Sequence, residues 1–319
     1  MTAPLVESML NGDIRALSRI LSVVEDRRDG YMDILKDLYR NAGRARIIGI
    51  TGPPGAGKST LVNGLIARFR KKDSRVAVVA VDPSSAFSGG ALLGDRIRMS
   101  DAALDDGVFI RSMATRGHMG GLATATDDVV TVLDSAGYDV VLVETVGVGQ
   151  DEVDIVREAD TVLVTLVPGL GDDIQAIKAG IMEIADVFVV NKADRDGVGQ
   201  LEKEIRAMME LATEKLEWEP PIVKTIAARG EGLEDLIAAM DSHMAYMKEH
   251  RLLAARRKLK YRDKFWSLLA EGFLADLRKR SLSPEEEEAL LAKFLSRETD
   301  PYSATETILG RIRWEGGNP

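Results

Sequence analysis

The segment Gly52-Pro53-Pro54-Gly55-Ala56-Gly57-Lys58-Ser59 constrains this chain more than any other, because it joins the apolar run Ile47–Thr51 to the helical pattern Thr60–Phe69. A glycine-rich turn between a strand and a helix aims backbone N–H groups inward, and the helix N-terminus adds its positive end, so the turn cradles a phosphate. Lys58 then reaches the outer phosphate oxygens, and the Ser59 hydroxyl faces a phosphate-bound Mg²⁺. Gly52, Pro53, Pro54, Gly55, Ala56, Gly57, Lys58, Ser59 and Thr60 are the expected phosphate-binding residues. The bland alternative is a glycine turn with a solvated lysine, and the strand–loop–helix context argues against it.

Short apolar runs continue on both sides of amphipathic segments: Val76–Val81, Val108–Ile110, Val140–Val143, Val162–Val167, Val187–Val190 and Ile222–Ile226. With Ile47–Thr51 they make seven buried strands separated by helices, which predicts an α/β fold with a mostly parallel sheet covered on both faces. Residues 4–41 carry Leu5, Met9, Ile14, Leu17, Ile20 and Leu21 near helical spacing, with Asn11 and Asp13 as caps between two short helices. After Gly232 the strand pattern stops. Leu233–Leu253 continues as helix into the basic stretch Arg256–Lys264, and Trp266, Leu269, Phe273 and Leu277 form one stripe further on, a candidate dimer contact. Ser283-Pro284-Glu285 has the residues of a further helix start. The organisation expected is an N-terminal helical extension (1–43), a P-loop nucleotide domain (44–250) and a C-terminal helical dimerisation arm (251–319).

Composition narrows the partners. The 42 basic and 51 acidic residues give a net charge of −9, which offers no general attraction to nucleic acid or anionic lipid. Cysteine is absent and the histidines are only His118, His243 and His250, so disulfides and thiolate metal sites are excluded. No apolar run of about 18 residues marks a membrane helix, and the first residues lack the pattern of a secretory signal, so a cytoplasmic protein is expected.

Asn191-Lys192-Ala193-Asp194 follows the apolar run Val187–Val190, at the carboxyl end of a strand, where ligands of open α/β sheets bind. A carboxylate at Asp194 accepts hydrogen bonds from the ring N–H and the exocyclic amino group of guanine. Adenine lacks both donors and would leave the carboxylate unpaired, at a cost of about 1–3 kcal/mol or more. Lys192 is expected to lay its stem along the base and Asn191 to tie this loop to the phosphate loop. Ala227, Ala228 and Arg229, in the loop Thr225–Gly230, are expected to bring a backbone N–H to the guanine O6. The ligand implied is GTP or GDP with Mg²⁺.

Two predicted strands end in carboxylates, Asp82 and Glu144, on the same edge as the phosphate loop, and hard oxygen donors suit Mg²⁺. Asp95 is a further candidate for the metal shell. Gly147, in the stretch Glu144-Thr145-Val146-Gly147, is the candidate γ-phosphate sensor. Two glycine-containing charged loops, 112–122 with His118 and 168–178 with Asp172, Gln175 and Lys178, have the composition of order–disorder switches as well as of ordinary surface loops. No residue stands out as the water-activating base, so hydrolysis by the isolated chain is expected to be slow.

The set GPPGAGKST, AVDPSSAFSGGALLGDRIRM, RGHMGGLA, ETVGVGQDE, VPGLGDDIQAIKAGIMEIAD and NKAD closely resembles the MeaB/ArgK family, the GTPases associated with methylmalonyl-CoA mutase. The resemblance implies the SIMIBI class of P-loop proteins and homodimers formed through helical extensions. It further implies a G-protein chaperone that gates cofactor loading of an adenosylcobalamin-dependent mutase and protects that mutase from inactivation. By the same resemblance Lys58, Ser59, Asp82, Asp95 and Glu144 serve phosphate and Mg²⁺, and Asn191, Lys192 and Asp194 serve guanine. Asp172, Gln175 and Lys178 belong to a further switch. Two other readings compete: a metallochaperone GTPase, which needs Cys or His ligands, and a P-loop protein kinase passing the γ-phosphate to an acceptor other than water.

Overall fold

The computed structural model describes residues 2–82, 104–114, 121–145, 159–169, 184–210, 218–281 and 283–310. Asp95, Gly147, Asp172, Gln175, Lys178 and His118 lie outside these residues. Seven strands, β1 (Arg46–Thr51), β2 (Val76–Asp82), β3 (Val108–Ala114), β4 (Val140–Thr145), β5 (Thr161–Leu166), β6 (Val187–Asn191) and β7 (Ile222–Thr225), form one sheet. Their order is β3-β2-β4-β1-β5-β6-β7 and every pairing is parallel. Parallel strands need crossovers, and the crossovers cover both faces, which is why these strands are apolar on both sides.

The alternation along β2 shows how the two faces are filled. Ala77, Val79 and Val81 pack on one side with Leu17, Ile20, Leu21, Leu38 and Val129. These come from α2 (Ile14–Glu25), α3 (Tyr31–Tyr39) and α5 (Gly121–Ser135), and Val6 and Met9 of α1 (Thr2–Leu10) join the same cluster, so the expected N-terminal extension shares a core with the sheet. Val76 and Val78 point to the other side, where Leu61 and Leu65 of α4 (Lys58–Arg70) meet Leu236 and Met240 of α7 (Leu233–Glu249). A third cluster lies around Phe188, Val164 and Val190, with Leu201 and Ile205 of α6 (Val198–Glu210).

Local chemistry accounts for the element ends. Asp13 caps α2 by accepting from the N–H groups of Arg15 (2.8 Å) and Ala16 (3.2 Å). The helical pattern of residues 4–41 divides into three helices rather than two, because Arg27 (φ 48°) and Gly30 (φ 86°) break it between α2 and α3. β3 runs four residues beyond the apolar stretch Val108–Ile110. Its Arg111 is satisfied by the buried Glu25 of α2, with Nε donating at 3.0 Å, so a polar residue can continue the strand. The helix expected through Leu253 stops at Glu249, since Arg251 turns left-handed (φ 59°), and α8 (Leu252–Ser281) starts afresh.

At the amino ends of β5 and β6, two aspartates meet two consecutive arginines. Arg257 donates from Nε and Nη2 to Asp160 at 3.1 and 3.0 Å, and Arg256 donates from Nη1 to Asp186 at 3.0 Å. The Val162 N–H also donates to Asp186, at 2.8 Å, and the fully buried His243 brings Nε2 to 3.3 Å of it. Burial acts to raise the Asp186 carboxyl, but the His243 hydrogen bond and the Arg256 charge outweigh it and hold its pKa below the usual carboxylate value.

The chain divides into two compact units, Met1–Arg257 and Lys258–Pro319. The second holds the remainder of α8, then α9 (Pro284–Ser296) and α10 (Pro301–Gly310). Ser283 and Glu286 form a reciprocal capping box at the start of α9, with Pro284 in its first turn. On α8, Phe265, Trp266 and Leu269 are exposed, Phe273 lies at the margin of exposure and Leu277 is half-buried. Among the described residues no helix is long and apolar enough to cross a membrane.

A group whose native pKa is depressed adds stability above its unfolded pKa and loses it as pH falls through the native value. Asp186→Asn is therefore expected to lower stability at neutral pH and to flatten the acid limb of the urea-unfolding stability curve. An acid limb as steep as that of the wild type would show that Asp186 does not contribute to it.

Candidate nucleotide-binding site

Because β1, β4, β5 and β6 are parallel neighbours, their carboxyl ends present four successive chain segments along one edge of the sheet. The first is Gly52–Gly57, which leads directly into α4. Within it Gly57 has φ 88°, and a Cβ there would lie 2.4 Å from Asn191 Nδ2. Only glycine permits both the backbone turn and that approach. Lys58 is buried, and its ammonium donates to the carbonyls of Gly52 (2.6 Å) and Pro53 (3.1 Å), so the positive charge sits over the loop.

Ser59 donates its hydroxyl to Glu144 Oε1 at 2.7 Å. Glu144 lies next to the end of β4, buried, in register with Ile50 of β1. The neighbouring hydroxyls of Thr145 and Thr51 bond at 3.1 Å and tie the two strand ends together. A serine hydroxyl and a buried carboxylate beside a phosphate cradle make a hard oxygen donor pair. Asp82 ends β2, one residue beyond the pairing of Val81 with Thr145, so its backbone stands one strand farther from the phosphate loop than Glu144.

Asn191 connects the rest. Its Nδ2 donates to the Ala56 carbonyl in the phosphate loop at 2.9 Å, while its Oδ1 accepts from Thr225 Oγ1 and from the Ala227 N–H, both at 3.1 Å. Lys192 (φ 55°) crosses to the same loop and donates to the Gly55 carbonyl at 2.7 Å. Ala193 N–H donates to the Thr225 carbonyl at 3.0 Å. The Asp194 carboxylate is exposed at the rim, 3.5 Å from Arg229 Nη2. Ala227–Arg229 forms a single 3₁₀ turn with Ala227 buried and Ala228 and Arg229 exposed. The structure thus brings the three predicted loops together through one buried amide. Thr225 enters the network through its side chain, a part the sequence does not signal, since a threonine at a strand end has many ordinary uses.

A sequence model of the MeaB family, described as the methylmalonyl-CoA mutase-associated GTPase, matches residues 17–281. The chain belongs to this family. It is similar to a Pyrococcus horikoshii protein named as a GTPase, 48% identical over 311 residues, with 97% of each chain covered. It is also similar to the mouse mitochondrial protein named methylmalonic aciduria type A homolog, 34% identical, covering 85% of this chain and 66% of that one. Among solved structures, one titled LAO/AO transport system kinase superposes with a TM-score of 0.72 at 24% identity, covering 97% of this chain and 96% of the other; it bears on the fold. Family membership makes this chain a GTPase and its bound ligand a guanine nucleotide.

Replacing Asn191 by alanine removes three hydrogen bonds that each link a different pair of backbone or side-chain groups. At about 0.5–1.5 kcal/mol per bond, Asn191→Ala is expected to weaken GDP binding by about tenfold or more. Isothermal titration tests this, and an affinity within twofold of wild type would contradict the role of Asn191 as connector.

Proposed function

We propose that this GTPase is a G-protein chaperone of adenosylcobalamin-dependent methylmalonyl-CoA mutase, gating cofactor loading and protecting the mutase from inactivation. The observation that carries the reading is the family match over residues 17–281, whose description names the mutase. The 34% identity to the mouse methylmalonic aciduria type A homolog supports it.

In the proposed cycle the phosphate-loop N–H groups hold the β-phosphate, and Lys58 leaves the Gly52 and Pro53 carbonyls to neutralise the β- and γ-oxygens. Mg²⁺, when bound, screens the charge that develops between those phosphates. Ser59 and Glu144 would hold it, with Asp82 as a further candidate. Asp194 accepts from the two donors on the guanine edge, Lys192 lies along the base, and an N–H of Ala227–Arg229 meets O6. Asp95, Gly147, Asp172, Gln175 and Lys178 keep their proposed switch roles on the sequence pattern alone. Stabilisation by fixed charges without a strong base leaves basal turnover slow, which suits a switch whose partner completes the site.

The proposal includes a homodimer in the cytoplasm. The exposed apolar side chains on α8, Phe265, Trp266 and Leu269, support a self-contact there. A variant carrying Leu269→Asp and Phe273→Asp is expected to lose half its particle mass in light scattering. A mass equal to that of wild type moves the interface elsewhere.

The function itself is tested by measuring GTP turnover with and without the mutase, with Lys58→Ala as the inactive control. Strong stimulation that the control abolishes is expected. Intact basal hydrolysis with no response to the mutase would overturn the choice of client.

A further inference from the structure

Arg68 lies near the carboxyl end of α4, the helix whose first residues are Lys58 and Ser59. Its Nη2 donates to the Gly230 carbonyl at 2.8 Å, and its Nε donates to Glu234 Oε1 at 3.2 Å. Gly230 closes the 3₁₀ turn Ala227–Arg229 with φ 73°, and a Cβ there would lie 2.7 Å from Arg68 Nη2. The turn is therefore pressed directly against the guanidinium.

The loop has little slack between its ends. Ile226 and Glu231 bond to each other, N–H to carbonyl, at 3.1 and 3.3 Å, and the Gly230 N–H returns to the Ala227 carbonyl at 3.1 Å. Asn191 holds the front of the turn at the Ala227 N–H, and Arg68 holds its back at Gly230. Ala227 and Leu233 also pack with Leu61 and Leu65. Apolar packing sets how close the loop lies but, being non-directional, does not fix how its N–H groups are aimed. Two hydrogen bonds from opposite sides do.

We infer that Arg68 is a positioning residue for base recognition, orienting the 3₁₀ turn Ala227–Arg229 from the same helix that holds the phosphates. This rests on the reading of that turn as the contact to guanine O6. One rigid element then sets the distance between phosphate and base. The competing account makes Arg68 one half of an ion pair with Glu234, whose side chain is 70% exposed. Such a pair contributes little, and its loss would leave the base site unchanged.

The test compares Arg68→Ala, Arg68→Lys and Glu234→Gln with wild type, with thermal melts to confirm that each folds. Arg68→Ala is expected to raise KM for GTP and Kd for GDP about 3–10-fold, the size of one hydrogen bond, with kcat within twofold. Arg68→Lys, which still carries a donor, recovers part of the loss, and Glu234→Gln behaves as wild type. The preference for GTP over 6-thio-GTP, which reports the O6 contact, shrinks in Arg68→Ala. The preference for GTP over ITP, which reports the 2-amino group at Asp194, is retained. Unchanged KM in Arg68→Ala and Arg68→Lys, or an equal loss in Glu234→Gln, overturns the inference. Should wild type fail to prefer GTP to 6-thio-GTP, the underlying assignment of the O6 contact falls; should wild type discriminate and Arg68→Ala match it, Arg68 alone is excluded.

Discussion

Uniform strand direction is the constraint on which the remainder of this molecule depends. With all seven strands parallel, every carboxyl end falls on one edge, and chain segments far apart in sequence arrive there side by side. β1 is central and lies between β4 and β5, so the phosphate loop emerges between the segment carrying Glu144 and the segment after Leu166. β6 lies one strand farther on, close enough for Asn191 and Lys192 to reach back to the phosphate loop. The spacing between the phosphate loop and the segment that starts at Asn191 is thus a property of the sheet before any side chain is considered.

Polar side chains then fix what the sheet brings near. The Asn191 amide is buried, and a buried amide must satisfy both its oxygen and its nitrogen. It does so only when the phosphate loop, the strand end at Thr225 and the turn at Ala227 are all in place. Satisfying one side chain therefore makes the ordering of three loops cooperative. Arg68 adds a second tie to the same turn from the opposite side.

The opposite edge of the sheet has a different chemistry. Asp160 and Asp186 precede β5 and β6, and both use backbone N–H groups as well as arginines to offset their burial. Both pairs involve the first turns of α8, so the start of that helix is set by charge pairing, whereas the helices on the sheet faces are set by apolar packing.

Much of the fold is legible in the chain because its signals are local. Apolar runs such as Val140–Val143, the strand–loop–helix setting of Gly52–Ser59 and the Ser283 helix start each depend on neighbours in sequence, which the backbone holds together in any fold. The continuation of β3 through Arg111 is not legible, because the side chain that satisfies it, Glu25, lies 86 residues away in sequence. The break at Arg251 lacks the glycine or proline that would announce it. Within the site, the sequence by itself determined which residue types stand at the start of α4, Lys58 and Ser59, and at or just beyond the strand ends, Glu144, Asn191 and Asp194. The tie from Asn191 to the phosphate loop is expected from the sequence, but only the tertiary structure decided that Ser59 meets Glu144, that the same amide also holds Thr225 and Ala227, and that Arg68 braces the turn beside Gly230. Hydrogen-bond partners are chosen by distance in space, and an arginine near the end of a helix looks, in sequence, like any charge that complements the helix dipole.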